Sequence, residues 1–193
     1  DTIIDAVYYY DTSQNIKDTY GDIENWNTSL VTDMSGLFKD LSFNEDISNW
    51  DVGNVTNMSQ LFMMNSYPAS GFNIFNQPLN GWNTRNVTDM SQLFSGQNTF
   101  NKPLNNWNTS SVTNMDRMFQ KCRNFNQDIS GWDVGIVNNM YYMFDHCQNF
   151  NEELSNWNVS NVTHMAGMLG EDCIFNKDIS LWNVGNVYTM EYM

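Results

Sequence analysis

The stretch W-N-V-S-N-V-T-H-M at residues 157–165 nearly repeats W-D-V-G-N-V-T-N-M at residues 50–58. In both, Val stands five residues and Met eight residues after Trp, and the same holds after every tryptophan of the chain. Successive tryptophans are 24, 32, 25, 25, 25 and 25 residues apart. A fixed period of this length indicates stacked units, each too small to bury its apolar face alone. The seven tryptophans are Trp26, Trp50, Trp82, Trp107, Trp132, Trp157 and Trp182.

The pattern inside one unit predicts two kinds of local structure. We number positions from the Trp of each unit, so that Val is at +5 and Met at +8. The segment I/L-x-x-W-x-V/T puts Trp and position +2 on one face, which is typical of a strand. The segment V-x-x-M-x-x-L/M-F is typical of a short helical turn packed inward. Stacking therefore predicts a repeat solenoid with a parallel β-ladder on one side and short helical or 3₁₀ turns on the other.

The sequence divides into a cap and a repeat array. Residues 1–22 depart from the repeat, and the strings D-T-I-I-D-A-V-Y-Y-Y and S-Q-N-I-K-D-T-Y suit short helices, so we expect a helical N-terminal cap. Residues 23–193 hold about seven repeats of about 25 residues. A loop insertion is expected at residues 63–74, where Pro68 and Gly71 indicate a turn-rich loop. Because the sequence stops inside a repeat, we expect a longer array, or another element over that edge.

Composition and charge exclude several classes of partner. The chain is 41% hydrophobic and 15% aromatic, which favours a packed core over disorder. A net charge of −14 with only 8 Lys and Arg provides no basic surface, so no nucleic-acid partner is expected and anionic membranes are disfavoured. No window approaches the roughly 18 apolar residues of a spanning helix, so no direct membrane insertion is expected. The chain begins at Asp1 rather than Met, which is typical of a mature or trimmed chain.

The sequence carries no recognisable catalytic, cofactor or metal motif, so we do not predict an enzyme. His146 and His164 occupy different repeat positions, and neither accompanies a nucleophile or carboxylate arrangement. Pairs such as M-D-R-M and M-Y-Y-M resemble a copper-binding methionine set. The first units have Leu in place of the second Met, which a core tolerates and a thioether site does not. We therefore assign the methionines to the core.

Two cysteines occupy the same repeat position on consecutive units. Cys122 and Cys147 both lie fifteen residues after Trp, and stacked units roughly 4.8 Å apart would bring their Cα atoms within disulfide range. The alternative is two buried thiols that act as small apolar groups. Cys173 is one position out of phase, which argues against a metal site.

An Asn follows Phe before each Trp after the first, and it has a structural interpretation. Its side-chain amide can satisfy backbone groups in a tight turn when units stack. We favour this role over ligand binding. These residues are Asn44, Asn76, Asn101, Asn126, Asn151 and Asn176.

The residues on either side of Trp form the candidate binding surface, which we call the polar strip. Since Trp is expected to point inward, its two neighbours should point outward and align along the stack. Such amides and carboxylates suit a glycan, a divalent cation or a protein partner, while a merely solvated polar face is the alternative. The strip consists of Asn27, Asp51, Asn83, Asn108, Asp133, Asn158 and Asn183 after Trp, with Asn25, Asn49, Asn106 and Asn156 before it.

Seven N-x-S/T signals are candidate N-glycosylation sites. They recur at fixed repeat positions, so the repeat itself generates most of them. They are Asn27, Asn54, Asn57, Asn86, Asn108, Asn158 and Asn161.

The string F-N-Q-D-I-S-G-W-D-V-G-I-V-N-N-M-Y-Y-M-F at residues 125–144 resembles the surface-protein repeats of the BspA type. This group is also known as a domain of unknown function in mycoplasma and Listeria-type lipoproteins, with similar repeats in protists, algae and large DNA viruses. The resemblance covers residues 23–193. It implies a leucine-rich-repeat-like right-handed solenoid, commonly displayed on a cell surface and linked to adhesion. The family has no shared catalytic residues to carry over.

Two functions follow from these observations. The first is a non-catalytic repeat module, extracellular or on a cell surface, that offers the polar strip to a protein or glycan. The alternative is a structural component of an envelope, fibre or virion shell, packed through its repeat faces and the open edge of its last repeat. An adhesin module should stay monomeric and bind an outside ligand, whereas an assembly component should self-associate.

Overall fold

The computed structural model describes residues 3–8, 10, 18–65 and 75–193. One α-helix, α1, spans Ile3–Tyr8, residues 18–20 are also helical, and a 3₁₀ turn spans Ile23–Asn25 just before the first Trp. The helix expected from S-Q-N-I-K-D-T-Y falls largely outside the described residues. So does most of the loop insertion expected at residues 63–74, because only its first three residues are described.

The predicted strand around each Trp is wrong, because turns flank the tryptophan on both sides. In the unit of Trp107, the Trp N–H donates to Leu104 O at 3.1 Å and the Val112 N–H donates to Thr109 O at 2.9 Å. Backbone N–H groups bonded within their own unit cannot pair with a neighbouring strand. Parallel pairing is confined to one bridge residue per unit, at position +7. The bridges connect Asp33, Asn57, Asp89, Asn114, Asn139, His164 and Thr189 in order.

The predicted helical turn after Met is also wrong, and alternating hydrogen bonds replace it. The N–H groups at +8, +10, +12 and +14 donate to carbonyls of the next unit, whereas those at +11, +13 and +15 donate three residues back. A helix is further blocked at +10, where Arg117 has a φ of 50° and Tyr142 a φ of 52°. In the unit of Trp107 the bonds to the next unit are Met115 N to Asn139 O, Arg117 N to Tyr141 O, Phe119 N to Met143 O and Lys121 N to Asp145 O, at 2.8–3.0 Å.

The leucine-rich-repeat-like solenoid expected from the sequence is therefore not the fold of this chain. The described part of the chain has single bridge residues but no strand and no sheet, and its helical residues all precede the first Trp. The units are built from turns and are joined by backbone hydrogen bonds between neighbours. Most backbone donors of a unit are thus bonded without regular secondary structure.

The core between the units is a set of stacked aromatic rings. Phe at +12 stacks on the Phe of the next unit at 5.5–5.7 Å between ring centroids, and the Phe seven residues before Trp does so at 5.9–6.2 Å. From the second repeat on, each indole N–H donates to a carbonyl of the preceding unit at 2.8–3.2 Å. The methionines at +8 are buried in all units but the last, as the core interpretation predicts. Because neighbouring units share rings and donors, each unit depends on the next for its core.

Candidate functional site

The polar strip lies on the surface, but its residues belong to turns rather than to a sheet. All seven residues that follow Trp are exposed. In six of them the side-chain oxygen accepts the N–H of the residue two positions later at 2.9–3.2 Å, as Asn108 does from Ser110 and Asp133 from Gly135. This is an Asx turn, in which the side chain fixes the backbone next to it. The strip is therefore a row of rigid turns that side-chain oxygens cap.

The Asx turns leave part of each strip residue available. One oxygen is used by the turn, so the Asn108 amide nitrogen and the second carboxylate oxygen of Asp133 take no part in the turn itself. The residues before Trp are exposed as well, and Asn106 is held through its backbone N–H, which donates to Asn80 Oδ1 at 2.9 Å. The row ends at Leu181, which is 83% exposed and breaks its polar character. Neutral donors and acceptors thus predominate along the strip.

The Asn that follows Phe has a structural role and does not belong to the strip. In all but the last of them, Asn176, the Oδ1 accepts the backbone N–H of the equivalent Asn in the next unit at 2.9–3.1 Å. The result is a continuous side-chain-to-backbone ladder along the stack. This agrees with the turn-satisfying interpretation of the sequence.

The candidate glycosylation sites occupy three repeat positions, each with its own geometry. At position +4, the Nδ2 of Asn86 and of Asn161 each donates to a carbonyl of the preceding unit at 2.6 Å. Asn54 does the same at 2.8 Å. At position +1, the Oδ1 of Asn108 accepts the Ser110 hydroxyl at 2.7 Å, and Asn27 and Asn158 are held alike. Asn57 lies at the bridge position, with its Nδ2 3.4 Å from Asp33 Oδ2. Glycosylation itself stays a prediction.

Cys122 and Cys147 are both free, buried thiols in the structure. Cys122 Sγ donates to Phe94 O at 3.0 Å, and Cys147 Sγ donates to Phe119 O at 2.9 Å. Burial raises the pKa of both thiols, which opposes formation of the thiolate. Gln97 at the same repeat position donates its Nε2 to Phe62 O at 2.6 Å. The position therefore supplies a donor to a carbonyl of the preceding unit, a role that sequence reasoning missed.

A buried carboxylate lies close to one of the two histidines. Asp145 is 3% exposed, accepts from Gln120 Nε2 at 2.9 Å, and has Oδ1 2.9 Å from His146 Nδ1. The other ring nitrogen of His146 lies 3.7 Å from Glu171 Oε2. Within the described residues, no group of three or more His, Cys, Asp and Glu is arranged to hold a metal ion.

Arg117 packs against two tyrosines of the next unit. The Arg117 guanidinium lies 4.6 Å from the centroid of the Tyr141 ring and 5.6 Å from that of Tyr142. It also pairs with Asp116 at 3.1 Å. Burial raises the pKa of Asp116, against the opposing charge of Arg117. The cation is thus already satisfied by its own neighbours.

A cavity of about 380 Å³ lies between α1 and the first repeat. It adjoins the polar strip, since two strip residues, Asn25 and Asn27, form part of its wall. Its remaining wall is formed by Ile3, Ala6, Tyr20, Trp26 and Val31.

No helix in the described part of the chain is long and apolar enough to cross a bilayer. No curated protein and no solved structure is significantly similar to the chain. A family model described as "Mycoplasma protein of unknown function, DUF285" matches residues 8–105, 66–171 and 128–193. These overlapping matches together span the repeats and the last part of the cap. The chain therefore belongs to this mycoplasma-type repeat family of unknown function.

Proposed function

We propose that the chain is a non-catalytic binding module that offers the polar strip to a protein or carbohydrate partner. The observation that supports this most is the exposure of the strip in all seven units. The BspA-type resemblance, with its surface display and adhesion, favours the same function. We accordingly propose an extracellular or cell-surface location, with a virion surface as the alternative.

The geometry of the strip suits recognition of an extended partner. An Asx turn holds six of the strip side chains before the ligand arrives, so binding orders fewer side chains. Contacts repeated along the stack add as linked weak sites do, provided that the partner repeats as well. Since both rows carry few cations, the strip suits a neutral or cationic partner better than an anionic one.

The test is binding of the purified chain to a glycan array and to proteins of cell surfaces, before and after protease treatment of those surfaces. Asn106→Ala and Asn156→Ala together should weaken retention on the ligand, because both residues are exposed on the strip. Glu153→Ala is the matched control, since Glu153 is exposed elsewhere and makes only a surface pair with Lys177. The proposal fails if nothing is retained, or if the control weakens binding as much as the strip variant.

A structural role in an assembly is the second candidate, and one observation favours it. Leu181, Tyr188 and Tyr192 are 83%, 81% and 70% exposed, an unusual set of large apolar side chains near one another in sequence. Sedimentation of the chain with and without Tyr188→Ser and Leu181→Ser tests this role. Self-association that these substitutions abolish would favour an assembly, whereas a monomer at every concentration would exclude this surface as its contact.

A further inference from the structure

We propose that the cavity beside Trp26 binds one sugar ring of a neutral glycan. This inference rests on the function proposed above, because it selects carbohydrate as the partner and places its main contact at one end of the polar strip. The argument uses the position of Trp26 in the column of tryptophans, the wall of the cavity and the charges around it.

Trp26 is the one tryptophan that is not fully covered. The other six are only 3–8% exposed, whereas Trp26 is partly exposed and borders the cavity. On one side it stacks on Trp50 at 6.4 Å and 12°, the same arrangement that Trp82 and Trp107 have at 6.4 Å. Among the described residues, the other rings that meet Trp26 are those of Tyr10, edge-on at 5.7 Å, and Tyr20, tilted at 5.9 Å, and neither stacks flat on it. The cavity therefore offers a ring surface that elsewhere in the stack is occupied by a flat ring.

The cavity wall suits the apolar C–H face of a sugar ring. Its volume of about 380 Å³ lies within the range of small-molecule sites, roughly 300–1,000 Å³. Ile3, Ala6 and Val31 make much of the wall apolar, and the ring of Tyr20 lies 5.9 Å from that of Trp26. The C–H face of a pyranose packs on such aromatic rings, as other apolar groups do. Its hydroxyl groups then need donors and acceptors at the rim.

The rim supplies these groups in fixed positions. Asn25 and Asn27 flank Trp26 and both are exposed. The Oδ1 of Asn27 accepts the Ser29 N–H at 3.1 Å and its hydroxyl at 2.7 Å, which sets the amide plane and leaves Nδ2 for a ligand. The Trp26 indole is itself held by its N–H, which donates to Gly21 O at 3.2 Å. A preorganised site of this kind loses little entropy when a ligand binds.

The surrounding charges select neutral sugars. Among the described residues, no Lys or Arg lines the cavity, and the exposed carboxylates of Asp22 and Glu24 lie close to Trp26 in the sequence. With a net charge of −14 on the chain, sulfated sugars and uronic acids would be repelled. A neutral hexose or N-acetylhexosamine unit carries no such penalty.

The experiment is a titration of the full chain, uniformly labelled with ¹⁵N, with cellohexaose, chitohexaose and mannohexaose at millimolar concentration. Seven indole signals are expected, one per Trp, and Trp26→Phe assigns the first. We expect one of these sugars to shift the Trp26 signal while the six buried indoles change little. Trp26→Ala should weaken that sugar roughly tenfold or more, the factor that about 1.4 kcal/mol of lost contact gives. Asn25→Ala should weaken it less and leaves the ring stacking intact.

The control variant is Tyr192→Ala, which removes an exposed ring far from the cavity and should leave the sugar affinity unchanged. If no sugar shifts the Trp26 signal, or if Trp26→Ala and Asn25→Ala both bind as the parent chain does, the inference is overturned. A shift of strip amide signals without Trp26 would overturn it too while leaving the proposed function standing. A shift by tryptophan amide but by no sugar would assign the cavity to an aromatic side chain of a protein partner instead.

Discussion

Gly96→Ala should destabilise the chain markedly more than Gly36→Ala. Gly96 lies at position +14 with a φ of 81°, in the left-handed region that L side chains rarely adopt. A Cβ built on it would overlap the carbonyl oxygen of Met64 in the preceding unit. The backbone must move to relieve this contact, because a carbonyl oxygen is not the end of a flexible side chain.

The magnitude follows from the bonds around that contact. The left-handed conformation costs an alanine roughly 1–2 kcal/mol. Alanine also restricts the unfolded chain more than glycine does, which offsets about 0.4–1 kcal/mol of that cost. Moving the backbone also strains two bonds between units, from Gly96 N to Gln120 O at 2.7 Å and from Met64 N to Ser95 O at 2.8 Å. Each is worth about 1 kcal/mol. We therefore expect a loss of about 2–4 kcal/mol in the free energy of unfolding.

Gly36→Ala is the matched control, because Gly36 has a φ of 63° but a Cβ added there would lie 3.8 Å from the nearest atom, Lys39 Cβ, which is an ordinary van der Waals contact. It should cost only the backbone term, about 1 kcal/mol. Urea unfolding followed by tryptophan fluorescence measures both variants against the parent chain. If Gly96→Ala and Gly36→Ala differ by less than about 0.5 kcal/mol, the close approach of the two units at Gly96 is refuted.

Three further predictions concern side chains. Asn126→Ala removes the acceptor for the Asn151 N–H at 2.9 Å and should lower the free energy of unfolding, measured with urea, by about 1–3 kcal/mol. Asn126→Asp keeps an acceptor and should lose less stability, so equal losses would contradict the ladder. Burial raises the pKa of the Cys122 thiol, so stability should fall as the pH rises above about 8.5, where the unfolded thiol ionises but the folded one does not. The stability of Cys122→Ala should fall less steeply with pH, and an unchanged slope in this variant would contradict the burial of the thiol. The Ser130 hydroxyl and N–H hold the pKa of Asp128 below its ordinary value, so the stability that this contact adds at neutral pH should disappear as the pH falls below about 4. Titration of the carboxyl groups by NMR in the parent chain and in Ser130→Ala measures this pKa, and equal Asp128 values in the two would contradict the prediction.

The sequence predicted the units of this chain better than the structure inside each unit. The recurring Trp, Val and Met identify the buried columns, because only inward positions need the same apolar side chain in each unit. The same spacing cannot distinguish a helix from alternating turns, since both return the chain inward after three or four residues. The relevant signal was weak: position +10 holds Gly36 and Gly167, which suit a positive φ, but also Arg117 and Tyr142.

The strip was identified by position but assigned to the wrong local structure. Alternation around Trp suggested a strand, whereas Asn or Asp two residues before Ser or Gly is the usual signature of an Asx turn. Asn108 with Ser110 and Asp133 with Gly135 show that signature. The cavity at Trp26 was not predicted, because it depends on how the cap residues meet the first repeat and no repeated pattern records that contact.

The central claim is that neighbouring units are joined by alternate backbone N–H groups, without a helix after Met. A long-range HNCO experiment, which detects coupling across a hydrogen bond, tests it in the unit of Trp107. The account predicts couplings from the Arg117 N–H to the Tyr141 carbonyl and from the Phe119 N–H to the Met143 carbonyl. A coupling from the Phe119 N–H to the Met115 carbonyl, four residues back in the same unit, would show a helix and contradict the account.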